Sequence, residues 1–339
     1  MKVLVLGGTG VISRSIVSQL LEKNHEVTTF NRGKKSLDFK GHVEQLVGDR
    51  SNREEFEASM GKHKFDVVID MICFNAEDAK STLRAFRGRV EQLVICSSVA
   101  AYKRPYNSLP VSEDGEELFD NPAFGYAFNK AEMERYINRE AIQEKLNVTI
   151  VRPSLTYGVG AANIGVLRQN YGIVDRIRKG KPLIMFGDGT TPWSFTFVPD
   201  LAKGFVGVVG NKKTYGQCYH ITNEDRHIWE DLYLEFGKLV GREPDIRHIS
   251  SELLCKAAPN LFNHLYYEKS YAGIFDNTKI KRDVPGFNAG ITLGEGLKTI
   301  LEWFEKEADK VDPEKDELED RLVAAYDKWV GDISGMYMK

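Results

Sequence analysis

Tyr126 and Lys130 stand four residues apart in the stretch YAFNK. On a helix that spacing puts both side chains on one face, about 5–6 Å apart. A lysine ammonium beside a phenol favours the phenolate and draws its proton affinity toward the working range. Of the 14 tyrosines, only Tyr126 has lysine at this spacing. A second chemical element closes the apolar run VEQLVICSS, where Ser97 and Ser98 could hydrogen-bond a carbonyl or alkoxide oxygen; the same serines could equally serve as a turn or helix cap. The third is the stretch VLVLGGTGVIS at residues 3–13. Gly7 allows a tight turn, and Gly10 lets backbone N–H groups approach a pyrophosphate at a helix N-terminus. Ser13 stands where a third glycine is usual. That position serves helix–strand packing, so the phosphate site survives a small side chain.

The elements that must position these residues alternate. KVLVL, HEVTTF, VEQLVGD, FDVVIDMI, VEQLVICSS and NVTIVRP read as strands, with VISRSIVSQLLEKN, NREEFEASMGK, AEDAKSTLRAFRG and about 124–145 as helices between them. Continuous apolar strands imply a parallel sheet covered on both faces, and right-handed crossovers then give an α/β doubly wound Rossmann fold. Further helices are expected at about 165–179, 199–209, 229–241 and 295–310, and YGQCYHITN as a strand returning to the sheet. The expected division is a dinucleotide-binding domain over 1–160 plus about 193–224, and a smaller substrate lobe over about 161–192 and 225–339. The C-terminal segment reads as an amphipathic helix whose stripe Leu318, Leu322, Tyr326 and Trp329 packs on the body or on a partner subunit.

The second strand ends in FNRGKK. No carboxylate stands there to repel a 2′-phosphate, and Arg32 could pair with one bidentately. This favours NADP over NAD; the competing reading is a solvated basic turn.

Together, GGTGVIS, VGDR, SSVAAY, YAFNK followed by AEMERY, VRPSLTYG and GDGTTPWSFTFVPDLA resemble the extended short-chain dehydrogenase/reductase (SDR) family, also called the NAD-dependent epimerase/dehydratase family. The resemblance covers nearly the whole chain. It implies Ser98, Tyr126 and Lys130 as the catalytic set. It implies a cofactor site of Gly7, Thr9, Gly10, Val11, Ile12, Asn31, Arg32, Asp49, Arg50, Met71, Ser97, Tyr126, Lys130, Pro153 and Ser154. Within that set Asp49 faces the adenine amino group, Lys130 also holds the nicotinamide ribose, and Pro153 and Ser154 lie beside the carboxamide. Nucleotide-sugar epimerases often carry Arg where Trp193 stands and Asn where Leu155 stands, so a smaller or more apolar substrate is implied than a UDP- or dTDP-sugar. Substrate-side candidates are Asn75, Tyr102, Tyr157 and Trp193, with Asn163 and His264 as weaker ones. Trp193 could instead be plain core. Reductase, epimerase and dehydratase share this chemistry and are not separated by it. The stretch FNRGK is also similar to the chloroplast stem-loop-binding branch, which leaves a cofactor-fold RNA-binding protein or a cofactor-sensing regulator as alternatives.

The chain has 339 residues and a formal net charge of −3, which points away from nucleic acid as the main partner. Cys73, Cys96, Cys218 and Cys255 form no C-x-x-C pair, and no cluster has ligand spacing, so no metal is expected. No apolar run reaches membrane-spanning length. A cytoplasmic protein with a small-molecule substrate is expected. A homodimer through helices at about 76–88 and 124–145 is possible.

Overall fold

A computed structural model describes residues 1–36, 38–144, 146–161, 163–307 and 310–337. The apolar runs form β1 (Lys2–Leu6), β2 (Glu26–Asn31), β3 (Val43–Val47), β4 (Val67–Asp70), β5 (Gln92–Cys96) and β6 (Val148–Pro153). With the returning strand Cys218–Ile221 they make a seven-stranded sheet in the order β3-β2-β1-β4-β5-β6-(Cys218–Ile221). Every pairing in it is parallel. The order reverses between β1 and β4, and a crevice opens at such a point outside the strands' carboxyl ends.

Alternate residues of each strand serve opposite faces. Val3 and Val5 of β1 join Ile69, Val151 and the helix α1 (Val11–Glu22), whose Ile16, Val17 and Leu20 pack with Leu201 and Phe205 of the helix Val198–Val208. Leu4 and Leu6 join Val68 and Ile95 on the other face. There they meet Phe56 of α2 (Arg53–Met60), Leu83 and Phe86 of α3 (Ala76–Phe86), and Met133 and Ile137 of α4 (Gly125–Glu144). This two-faced burial is why the strands read as unbroken apolar runs.

The chain forms two compact units. The first unit holds Met1–Thr156, Thr196–Glu224 and Ile274–Gly290; the second holds Tyr157–Phe195, Asp225–Gly273 and Ile291–Lys339. The segment Ile274–Gly290, expected in the smaller lobe, belongs to the first unit, where the Tyr219 hydroxyl donates to Asp283 at 2.9 Å. The helix expected from 165 begins at Tyr171, because Gly165, Arg168 and Asn170 all take positive φ and break the helical path. The expected helices at 199–209, 229–241 and 295–310 occur as Val198–Val208, Asp231–Val240 and Leu293–Lys306; residues 145, 308 and 309 of the expected helices lie outside the described residues. No described helix is long and apolar enough to cross a membrane.

In the second unit the C-terminal helix Pro313–Tyr337 is fastened by charge, while Leu318, Leu322 and Tyr326 of the expected stripe are half-buried. Its buried residues are Glu319 and Val323, while Trp329 is 59% exposed. Glu319 accepts hydrogen bonds from the Gln169 side chain at 2.8 Å and the Ile184 N–H at 2.9 Å, and Arg176 lies 3.5 Å away. Arg176 in turn donates to Asp316 and Asp320. Glu319→Ala leaves buried donors unmatched and should cost about 2–3 kcal/mol in urea unfolding, with faster proteolysis inside this helix. A change below about 0.5 kcal/mol would mean that Glu319 is not the anchor.

Candidate active site

The loop between β1 and α1 is built by exclusion. Gly7 has φ +85° and donates to the Phe30 carbonyl at 2.8 Å; a Cβ there would lie 2.5 Å from Ile72. A Cβ on Gly8 would lie 2.4 Å from Thr29. Gly10 is the N-cap of α1 and has no capping side chain, so the first-turn N–H groups receive no side-chain acceptor from it. Ser13 is buried at 3% exposure, tucked under the loop. Helix termini of this kind hold phosphate through backbone N–H groups and the helix dipole.

A cleft of about 750 Å³ opens from this loop, lined by Gly7, Thr9, Gly10, Asn31, Arg32, Lys34, Lys35, Asp49, Arg50 and Asn75. The sequence did not single out Ile72, Ser51, Arg53 or Asp78, which also line it. Arg32, Lys34 and Lys35 are exposed and supply a cationic rim. Several expected ligands spend their polar atoms on the protein itself. The Asn31 carbonyl oxygen accepts from the Gly33 N–H and the Gln45 amide, both at 2.8 Å, and so shapes the turn that presents Arg32. Asp49 accepts from the Ser51 N–H and hydroxyl, which hold its carboxyl below the usual range. Arg50 is buried and donates to Asp70, Thr82 and the Asp78 carbonyl, each at 2.6 Å. It ties α3 to the end of β4 and forms the cleft floor. Met71 packs in the α1-side core, and its neighbour Ile72 lines the cleft. Asn75 lines this cleft and caps α3 by accepting from the Asp78 N–H at 2.9 Å. Ile12 packs against the same core as Met71, and Val11 is partly buried, so their contribution to the loop is backbone.

Beyond the ends of β4 and β5, Lys130 of α4 is 2% exposed. Its ammonium donates to the carbonyls of Cys73 and Cys96, both at 2.7 Å, and lies 5.1 Å from the Phe74 ring centre. Two of its three donors are thus fixed. Tyr126, one turn earlier on α4, is 47% exposed. Ser98 caps the short 3₁₀ turn Val99–Ala101, its oxygen accepting from the Ala100 N–H at 3.1 Å. That leaves the Ser98 proton to donate elsewhere. The cap role and the catalytic role expected of this serine are therefore compatible.

Ser97 is different. Its hydroxyl donates a short hydrogen bond to Glu134, one turn beyond Lys130 on α4. Glu134 is fully buried and paired with Arg152 of β6, whose Nε lies 2.9 Å from Oε1. Arg152 donates to the Tyr102 hydroxyl at 2.5 Å, and Tyr102 meets His220 Nε2 at 2.6 Å. With Arg152 donating, Tyr102 gives its own proton to His220, whose Nδ1–H then reaches the Asp276 carbonyl at 3.2 Å. This assigns the neutral Nδ1–H tautomer. Tyr102, expected on the substrate side, is thus a fully buried network residue. Ser154 is buried and bonded to Thr196 at 3.0 Å, and Pro153 ends β6 in register with Ile221. In the second unit, Tyr157 is fully buried against Gly296, where a Cβ would lie 2.5 Å from its hydroxyl oxygen. Trp193 is 1% exposed and packs on Trp229 at 5.2 Å and over Gly273. Of its two readings, core is the one observed. His264 is buried, and burial drives its imidazole down to about 2, so it stays neutral. Tyr102 and Tyr157 read as pocket candidates because size and type do not encode depth.

His220 sets a pH dependence. Burial, then Arg152, lower its pKa from 6.5 to about 3. Below 6.5 the unfolded chain binds a proton that the folded chain refuses, so stability falls with falling pH, by at most ~1.4 kcal/mol per unit from this group. His220→Asn should be less stable than the parent chain at pH 7.5, and the gap should narrow by pH 5.5. Parallel unfolding curves at the two pH values check this; a constant gap would contradict a neutral His220.

Residues 3–221, more than half of the chain, match the NAD dependent epimerase/dehydratase family. A 2′-dehydrokanamycin reductase of Streptomyces kanamyceticus is 26% identical over 242 residues, 71% of this chain and 67% of the reductase. The chloroplast stem-loop binding protein of 41 kDa b of Arabidopsis thaliana is 29% identical over 266 residues; the match covers 73% of this chain but only 65% of that protein. Among solved structures, dTDP-glucose 4,6-dehydratase from Bacillus anthracis in complex with NAD aligns with TM-score 0.74 and 19% identity, over 92% of this chain and 99% of the dehydratase. That likeness shows the shared fold. The glycine loop at the switch point of a parallel sheet and the matched segment agree: the chain belongs to the NAD dependent epimerase/dehydratase family, a family of NAD(P)-dependent enzymes.

Proposed function

We propose that this chain is an NADP-dependent oxidoreductase or epimerase acting at a hydroxyl or carbonyl carbon of a small molecule or sugar derivative, with Ser98, Tyr126 and Lys130 as its proton relay. The observation that carries the reading is Lys130, fixed by the Cys73 and Cys96 carbonyls with Tyr126 four residues before it on the same helix. The phenol of Tyr126 is accessible and exchanges a proton with the substrate oxygen. The Lys130 charge stabilises the phenolate left behind. Ser98, its oxygen already accepting from Ala100, donates its proton to the same substrate oxygen. When bound, a nicotinamide cofactor supplies or accepts hydride.

The residues present fit that cofactor. The Gly7–Gly10 loop would take the pyrophosphate, the Asp49 turn would lie at the adenine, and Arg32, with Lys34 and Lys35 beside it, would meet a 2′-phosphate. The absence of an acid at the end of β2 supports NADP. The reaction within the family stays open among reduction, epimerisation and dehydration. A homodimer through α3 and α4 is part of this reading, and a monomeric mass at micromolar concentration would overturn that part.

A second reading has one observation in its favour. At the N-terminal ends of β1 and β2, a cleft of about 740 Å³ gathers Lys2, His25, Lys40, His42, Lys62, His63 and Lys64, with Glu26 and Glu44 also in its wall and Glu26 3.8 Å from Lys2. This is a surface that could hold RNA phosphates, and salt-dependent retention of RNA would support it.

Denaturing the purified protein, identifying any released nucleotide and titrating the emptied protein with NADPH and NADH tests the first reading. NADPH should bind at least tenfold tighter, and Arg32→Glu should erase that difference. Tightly held NAD would overturn the NADP assignment, and failure to bind either nucleotide would overturn the enzyme. Tyr126→Phe should keep NADPH affinity while turnover on a substrate found by absorbance at ~340 nm falls by about 10²–10⁴.

A further inference from the structure

The cleft of about 750 Å³ in the first unit leaves one large apolar side chain outward. Of Phe30, Ile72 and Phe74, the described apolar side chains in its wall, Phe30 is buried, Ile72 is half-buried and Phe74 is 51% exposed. An exposed aromatic on a loose loop needs no explanation. Phe74 stands on a fixed turn. Its N–H donates to the Asp78 carboxylate at 3.0 Å, and Asn75 beside it caps α3. The Ile72 N–H donates to Asp70 at 3.0 Å, and the Cys73 carbonyl accepts from Lys130 at 2.7 Å. Each residue of the turn 72–75 thus makes a hydrogen bond that holds it in place, and the turn presents the Phe74 ring to the cleft.

The two faces of that ring differ. The Lys130 ammonium lies over one of them, 5.1 Å from the ring centre, and Lys130 is 2% exposed, so this side is closed. The exposed surface is the opposite face and the edge, which front the cleft. A flat ligand ring laid there would remove apolar surface from water and add a stacking contact. The proposed relay of Tyr126 and Lys130 acts on the oxygen of the carbon that exchanges hydride. The redox ring of the cofactor therefore belongs at the Lys130 end of the cleft, and the adenosine half at the Arg32 end. We propose that Phe74 is the stacking platform for the nicotinamide half of the cofactor, a binding role separate from that of Arg32. This rests on the cofactor reading given above. Phe74 would hold NADPH and NADH alike, because the feature that distinguishes them lies at the other end of the cleft.

The test is calorimetric titration of the full chain with NADPH, NADH and adenosine 2′,5′-bisphosphate, which carries the adenosine half without nicotinamide. Phe74→Ala should weaken NADPH by about tenfold and leave the bisphosphate within about twofold of the parent chain. The retained bisphosphate affinity shows that the variant folds. The ratio of NADPH to NADH affinity should not move in Phe74→Ala, whereas Arg32→Glu should change it. Phe74→Tyr, which keeps the ring, should stay within about threefold for every ligand. Unchanged NADPH affinity in Phe74→Ala overturns the platform, and so does an equal loss of NADPH and bisphosphate, which would make the ring a structural prop. Either result leaves the cofactor reading standing. A parent chain that binds none of the three ligands overturns the cofactor reading and the platform together.

Discussion

A single buried ammonium organises the end of the first unit where β4 and β5 stop. Lys130 is accommodated only because two parallel strands stop where their chain carbonyls can receive it. Burying a charge is expensive without such partners. The carbonyl acceptors come from residues just beyond β4 and at the end of β5, so the β4–β5 register, Val67 with Gln92 through Asp70 with Ile95, determines where α4 sits. One turn along the same helix, Glu134 takes Ser97 at the β5 end and Arg152 of β6. Two charged residues four apart thus fasten one helix to three strand ends, and Tyr126 is the exposed member of that same row.

The cleft beside β1 follows another economy. Its polar residues hold one another, and the surfaces left for a ligand are backbone and rim. Asn31 shapes the turn under Arg32, Arg50 braces α3 against β4, and Asn75 caps α3. What remains outward is the uncapped start of α1 and the three cations after β2. A site assembled in this way is pre-formed, because its side chains are already fixed by protein partners.

Much of this was legible in the residues. Gly7 announces a tight turn that a Cβ would obstruct, and the Tyr126–Lys130 spacing announces a shared helix face. The unbroken apolar strands announce a doubly covered parallel sheet. Less legible was which polar groups are spent internally. SSVAAY shows two serines, and nothing local says that Ser97 is engaged by a carboxylate 37 positions away while Ser98 keeps its proton. Tyr102, Tyr157 and Trp193 sit beside family motifs but are core, because exposure depends on what folds over a residue. On the C-terminal helix the fully buried position is Glu319, because its seat is a pocket of hydrogen-bond donors.

The sequence by itself determined the sheet, its covering helices and the placing of Tyr126 and Lys130 on one helix, since period, run length and i, i+4 spacing are local properties carried by backbone geometry. Tertiary structure alone decided the Arg152–Glu134–Ser97 tie and the neutral tautomer of His220. Each depends on the distance between groups far apart in the chain, and desolvation acts on that distance and not on spacing along the sequence.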